Sequence, residues 1–439
     1  MIVIAVIVAI AALPFAVLIG GSSARNPIGV ALVCYAALLP FGSGVTLPIG
    51  LPSPFNTVST LVGLWVIVAS CVFLVRGGAW AALHPSVPVW LALLALVVVS
   101  DVWSIDHSTT VNNTLVFMSL VLLFVIVSLV GVRAADVRRV EVAAVVGGAA
   151  ACVYGLWLLN SGRLTSVDGS VPRFATAGGV GDAADPNITA ASLLLPALLA
   201  LSITLRPGRR SARLGALGAF ILMVIGIVLT GSRGGLIALF VGGVAIIANA
   251  RGIRSLLPYG FIVAVVVAAA LVIAPASLGS RFTDTGSAGR TDLWRVGARA
   301  CPTYCLTGSG WATFPDVYLN TLLTNFDLKG HGVRDFKAHN IALAMLIEMG
   351  VAGFLLATLG IYLVARSLWR LPRARRGPPL AALVAVLTAN MFLSNFNFKY
   401  FWFVLTYAAV VAGMSTTTDA EPISAKPGAE EARAASSFA

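Results

Sequence analysis

Three short segments hold the side chains whose types and spacing could do chemistry. Thr230-Gly231-Ser232-Arg233-Gly234-Gly235 is a turn too short to project far into solvent, and Arg233 stands where an apolar run begins. The free N–H groups and positive macrodipole of a helix N-terminus attract anions even before a guanidinium is added. Arg290-Thr291-Asp292-Leu293-Trp294 offers a second guanidinium with an indole about one helical turn on. Such a fork can grip phosphate oxygens bidentately, and the indole can stack on a sugar or a lipid. Ala338-His339-Asn340 opens another apolar run. An imidazole at a helix N-terminus near arginines is biased toward its neutral form, which can accept a proton. Two anion-holding groups and a base are the minimum for moving a group away from a phosphate leaving group onto a hydroxyl. Two of them have blander readings: Arg233 could snorkel to lipid headgroups, and His339 could be a cap or a hydrogen-bonded core residue. Ser232, Trp294, Arg295, Asn340, Asn187 and Arg173 complete the expected substrate-binding set, although Asp292, Arg295 and Arg299 are also spaced as a helical surface pair set.

The elements that must position these residues are membrane helices. The chain has 439 residues, 59% hydrophobic and 10% charged, with net charge +12 and mean hydropathy +0.95. Soluble domains carry about 25% charged residues, so a cytosolic enzyme, a disordered chain and a disulfide-stapled secreted domain are excluded. Apolar runs that could span lipid as helices lie near 2–20, 28–42, 57–75, 88–103, 114–132, 140–158, 188–205, 213–230, 234–250, 257–276, 339–366, 379–395 and 399–414. About twelve to thirteen transmembrane helices are therefore expected in an all-α integral membrane fold.

Every second connection is Arg-rich: Arg25, Arg76, Arg133 to Arg139, Arg206 to Arg213, Arg251 with Arg254, and Arg366 to Arg376. The positive-inside rule makes these cytoplasmic, with the N-terminus outside and the C-terminus inside. Residues 1–14 carry no basic n-region, so a cleaved signal peptide is not expected. The charge of +12 then needs no nucleic-acid partner. The expected organisation is N-terminal transmembrane helices over 1–276, an extracytoplasmic loop domain over 277–338, C-terminal helices over 339–414, and a disordered cytoplasmic tail over 415–439. All three candidate segments face outward, on the extracytoplasmic side of the cytoplasmic membrane.

Other chemistry-bearing residues are weaker candidates. Asp101 and Asp106 stand at an outer helix end, and His107, His331, Asp327 and Asp335 lie on the same face, but no compact metal-ligand set emerges and no metal is expected. Glu348 falls inside a span, where a carboxylate is costly; nine residues beyond His339 it lies on the opposite helix face, and a hydrogen bond to a neighbouring helix is its expected role. Cys301 and Cys305 could form a small-loop disulfide just before Gly308-Ser309-Gly310.

Together these pieces resemble the O-antigen ligase and polymerase family of bacterial envelope glycosyltransferases. The resemblance rests on Ser232-Arg233-Gly234-Gly235, on Gly289-Arg290-Thr291-Asp292-Leu293-Trp294 followed by Gly308-Ser309-Gly310, and on His339-Asn340 leading to Glu348-Met349-Gly350. Ser100-Asp101-Val102-Trp103-Ser104 and Asp185-Pro186-Asn187 are similar to weaker family features. The resemblance implies about twelve transmembrane helices, a long outer loop before the last spans, and a lipid-dependent, GT-C-like glycosyltransferase. It further implies metal-independent, inverting transfer of a polyprenyl-diphosphate-linked glycan to a lipid or glycan acceptor, with Arg233 and Arg290 on the diphosphate and His339 as base. No cofactor is implied, and membrane lipids are the other partner. A transporter of an anionic solute and a non-catalytic envelope-assembly subunit are the competing readings.

Overall fold

The computed structural model describes residues 26–42, 45–46, 55–78, 80–164, 173–176, 185–251, 290–325 and 337–418. The expected spans at 2–20 and 257–276, with Arg25, Arg254, Asp327, His331 and Asp335, lie outside the described residues. The described residues form helices α1 Pro27–Leu38, α2 Val58–Val75, α3 Val87–Val99, α4 His107–Leu129, α5 Ala134–Asn160, α6 Pro186–Leu205, α7 Arg210–Leu229 and α8 Arg233–Arg251. They are followed by α9 Arg290–Tyr304, α10 Phe314–Thr324, α11 Ile341–Trp369, α12 Arg373–Asn390 and α13 Lys399–Thr418. Seven of these helices are long and apolar enough to cross a membrane, and three shorter apolar helical stretches lie at Pro27–Phe41, Val87–Trp103 and, within α13, Lys399–Met414. Every expected span among the described residues is met by a helix, and no strand occurs among them. The protein is an all-helical membrane protein.

Helix starts follow from capping residues. Asp106, Asp185 and Asn340 each accept a backbone N–H from the first turn of α4, α6 and α11 respectively, and Pro186 sits at the start of α6 where its missing N–H costs nothing. Capping explains one difference from the sequence reading. The fourth described span begins at His107 rather than near residue 114, because the Asp106 cap initiates a helix through the polar His107-Ser108-Thr109-Thr110 stretch, which hydropathy discounts. Similarly, α13 continues to Thr418, inside the expected tail, since lengthening an existing helix adds a hydrogen bond for each residue fixed.

The hub of the bundle is α6, most of which is buried between α5, α7, α8 and α12. A second centre is aromatic. Trp402 packs against Trp90, Phe117, Phe124 and Phe396, with ring centroids 5.1 to 6.1 Å apart, and Trp311 joins through Phe117 at 4.9 Å. Trp311 belongs to the segment between α9 and α10, so this cluster pins the loop domain to the helices.

The loop domain therefore has structure of its own. α9 and α10 bury Leu293, Val296, Ala300, Phe314, Val317 and Tyr318 against Ala344 and Ile347 of α11. The Cys301–Cys305 disulfide is formed in the last turn of α9. Beyond it the chain zips onto a kink in α11: Ser309 N–H donates to the Ile347 carbonyl at 2.9 Å and Gly310 N–H to the Glu348 carbonyl at 3.0 Å. The kink is at Gly350, with φ +66°, and its opposite number Gly308 has φ +89°. A Cβ on Gly308 would collide with the Glu348 carbonyl. The two Gly-containing motifs, forty residues apart, are thus the halves of one backbone junction. Gly308→Ala is expected to destabilise the protein by about 2 kcal/mol or more, from a left-handed backbone combined with a steric clash, measurable as a lowered thermal midpoint of the detergent-solubilised protein.

Candidate functional site

The floor of the site is the turn between α12 and α13. The Arg290 guanidinium lies over the Phe392 ring, 5.8 Å from its centroid. Gly234, the neighbour of Arg233, packs against the same ring. His339 donates its backbone N–H to Ser394 Oγ at 3.1 Å. Three segments spread over more than a hundred residues thereby converge on Phe392 to Ser394.

Local structure sets each side chain. Arg233 is the first residue of α8, and the helix start is capped by buried Ser232, whose Oγ accepts the Gly235 N–H at 3.2 Å. Ser232 thus acts as a cap, and its hydroxyl helps fix the turn that carries Arg233. Arg173 Nε donates to the Thr230 carbonyl at 2.7 Å, bringing another guanidinium to that turn. Arg290 opens α9, and Trp294, one turn on, donates its indole N–H to the Ala338 carbonyl at 3.2 Å. Trp294 therefore fastens α9 to the residue preceding His339, so its polar edge holds the site together. Asn340 Oδ1 accepts from Ala342 and Leu343 N–H as the α11 cap, and Asn187 N–H donates to Asp185 Oδ1 at 2.8 Å in the first turn of α6. Arg295 stays on an exposed face, ion-paired to Asp292 at 3.1 Å, the surface arrangement its spacing also fitted.

The electrostatics join the three principal residues. Burial lowers the Arg290 pKa, as does the Arg233 charge, while Asp185 opposes both. Burial likewise lowers the His339 pKa; Arg290 and Lys337 push the same way, and Asp185 and the Phe392 backbone push back. The imidazole is therefore biased to its neutral state, and its Nδ1 is buried with no hydrogen-bond partner among the described residues. His339 also adopts φ +46°, a left-handed backbone that costs a side-chain-bearing residue roughly 1–2 kcal/mol. Strain held at a position surrounded by convergent charges is characteristic of functional sites.

Beside this group opens a cavity of about 590 Å³. Ala338 and Ser394, which flank His339, are on its wall, together with Asp185, Lys337, Glu348 and Lys399. The volume suits a saccharide unit or two, within the usual range for small-molecule sites. Glu348 is anchored by the Ala312 N–H, which donates to Oε2 at 3.1 Å. Its partner is thus the loop domain's backbone rather than the neighbouring helix expected from sequence, because the α11 kink draws the loop against this face. Among the described residues no cluster of three or more His, Cys, Asp or Glu could hold a metal ion; Asp106 is instead held at a pKa of about 2 by hydrogen bonds from Thr109 and Ser108.

Sequence reasoning missed the Asn390 to Tyr400 turn. Its signal was available as the polar, aromatic run Asn395-Phe396-Asn397-Phe398-Lys399-Tyr400 between two apolar helices. Asn395 N–H donates to Asn390 Oδ1, Asn395 Nδ2 to Tyr400 OH, and Asn397 Nδ2 to Asn113 Oδ1, so the run builds the platform under the site.

Arg233, Arg290 and His339 occur in this order within one stretch. Residues 218–358 match the O-antigen ligase family. The matched stretch covers about a third of the chain and includes the Gly308/Gly350 junction. It supports the O-antigen ligase and polymerase family that the motifs resemble, and with the apolar helices it supports a membrane glycan-processing enzyme. No curated protein matches the chain.

Proposed function

We propose that the protein is a glycosyltransferase that moves a polyprenyl-diphosphate-linked glycan onto an acceptor hydroxyl at the outer face of the cytoplasmic membrane. The observation that carries this reading is the neutral-biased, strained His339 beside Arg290, at the edge of a sugar-sized cavity. The acceptor hydroxyl attacks the anomeric carbon and its proton passes to His339. The bond from that carbon to the diphosphate oxygen breaks, and the leaving diphosphate takes the electron pair. Arg233 and Arg290 stabilise the charge as it develops, the kind of stabilisation that lowers such barriers most. Attack opposite the leaving group inverts the anomeric centre. The outward orientation is supported by charge distribution, since Arg133, Arg139, Arg206 and Arg376 pair with Asp136, Glu141 and Asn249 at helix ends remote from the site.

Purified protein mixed with a polyprenyl-diphosphate oligosaccharide and a panel of glycan and lipid acceptors is expected to release polyprenyl diphosphate and form an inverted linkage, at the same rate with and without chelator. No release with any acceptor, together with counterflow of an anionic solute in proteoliposomes, would replace this reading with transport.

A further inference from the structure

The cavity has a second polar end that the transfer chemistry does not use. Lys399, the first residue of α13, directs its ammonium to Thr57 Oγ1, Ser59 Oγ and Thr60 Oγ1 at 2.8, 2.8 and 2.6 Å. Thr57 and Ser59 line the cavity beside it. The three hydroxyls take the three ammonium donors and hold the charge in one place. They do not neutralise it: among the described residues no carboxylate lies within ion-pair distance of Lys399.

The cavity's own acids are committed elsewhere. Asp185 caps α6 and acts on Arg290 and His339, and Glu348 is bound to the loop backbone. Lys337, on the same wall, sits 5.3 Å from the centroid of the Phe398 ring. The chain contains four lysines against many arginines, and both lysines among the described residues, Lys337 and Lys399, line this cavity. A part-buried ammonium lacking a counter-ion is costly, and a compact cation among hydroxyls is complementary to a small anion.

We propose that the Lys399, Thr57 and Ser59 wall is a subsite for an anionic saccharide unit, with Lys399 selecting a sugar that bears a carboxylate or an equivalent anionic substituent. This rests on the reading of the protein as a glycan transferase. The anionic unit belongs either to the glycan being transferred or to the acceptor. Lys399 is a specificity residue and takes no part in bond making.

The test uses the full chain in nanodiscs. Binding of a free uronate-containing oligosaccharide is compared with its carboxyl-reduced counterpart, for the native protein, Lys399→Met and Thr60→Val. The native protein is expected to prefer the acidic form by about tenfold, from the attraction between the fixed ammonium charge and a nearby carboxylate. Lys399→Met should abolish the preference while leaving the thermal midpoint within a few degrees of native, and Thr60→Val, which only loosens the ammonium, should reduce it. Transfer assays then pair an acidic donor with a neutral acceptor and the converse. Loss of rate in Lys399→Met confined to one pairing identifies which substrate carries the anion. Equal native affinity for the two oligosaccharides overturns the proposal, even if Lys399→Met fails to fold. A preference that survives in Lys399→Met also overturns it. Binding preference with no transfer in any pairing counts against the transferase reading and leaves the subsite standing.

Discussion

His339→Ala is expected to lower turnover by about 10²- to 10⁴-fold, the usual contribution of a positioned general base, while the protein remains folded and still binds the lipid diphosphate. The fold should tolerate the change because the backbone N–H of residue 339 still reaches Ser394 and the α11 cap is provided by Asn340; removing a β-carbon chain larger than methyl also does nothing to worsen φ +46°. The pH profile gives an independent reading. Burial and the Arg290 and Lys337 charges lower the His339 pKa, so the ring stays neutral below the ordinary histidine value of about 6.5. Activity that needs the neutral ring should fall only below that value, and stay level above it until other groups titrate. The stability effect has the same sign. In the window between the lowered folded value and the ordinary one, the unfolded chain binds the extra proton, so stability from this group declines as pH falls. Native-like activity of His339→Ala would remove the base from the mechanism.

Arg290→Met should reduce turnover by about 10²- to 10³-fold, comparable to deleting one preorganised donor at a developing anion. The guanidinium rests on Phe392 and is part-buried beside a second arginine, with Asp185 offsetting part of the repulsion, so an entering anion is attracted to it. Removing it should therefore weaken binding of the diphosphate and slow its departure. Arg290→Lys should rescue little, because an ammonium has neither the planar fork nor the surface to stack on the ring. A second consequence separates this from a general loss of structure. Since the Arg290 charge helps to lower the His339 pKa, the acid limb of the residual activity should move upward in Arg290→Met. Measuring kcat/KM against pH for the native and Arg290→Met proteins checks both. An unchanged limb with unchanged turnover would place Arg290 outside the reaction.

Much of the scaffold is legible without coordinates. Long apolar runs read as helices, because backbone groups in lipid must find their hydrogen-bond partners within the segment. Caps such as Asp185-Pro186 and Asn340 are local, and so are the steps that put Asp292 and Arg295 in a surface pair. Hydropathy alone places a helix start too late at His107, where a capped polar first turn still belongs to the helix. The contacts of Trp294 and Glu348 are illegible for a different reason. Their partners, Ala338 and Ala312, are backbone groups of distant segments, and backbone carries no sequence label.

The sequence by itself determined that the chain is a helical membrane protein, and it singled out Arg233 and Arg290, with His339, as chemistry-bearing residues at the starts of helices. Those properties depend on hydrophobicity, period and near-neighbour capping, which act over one or two helical turns. Only the tertiary structure decided that the three meet over Phe392 and Ser394, that Gly308 and Gly350 are one junction, and that Lys399 faces Thr57, Ser59 and Thr60 across more than three hundred residues. In an interior that is apolar almost throughout, many helix pairings satisfy the same hydropathy. The choice among them is made by small-residue contacts and a few buried hydrogen bonds, and these exist only once the chain is packed.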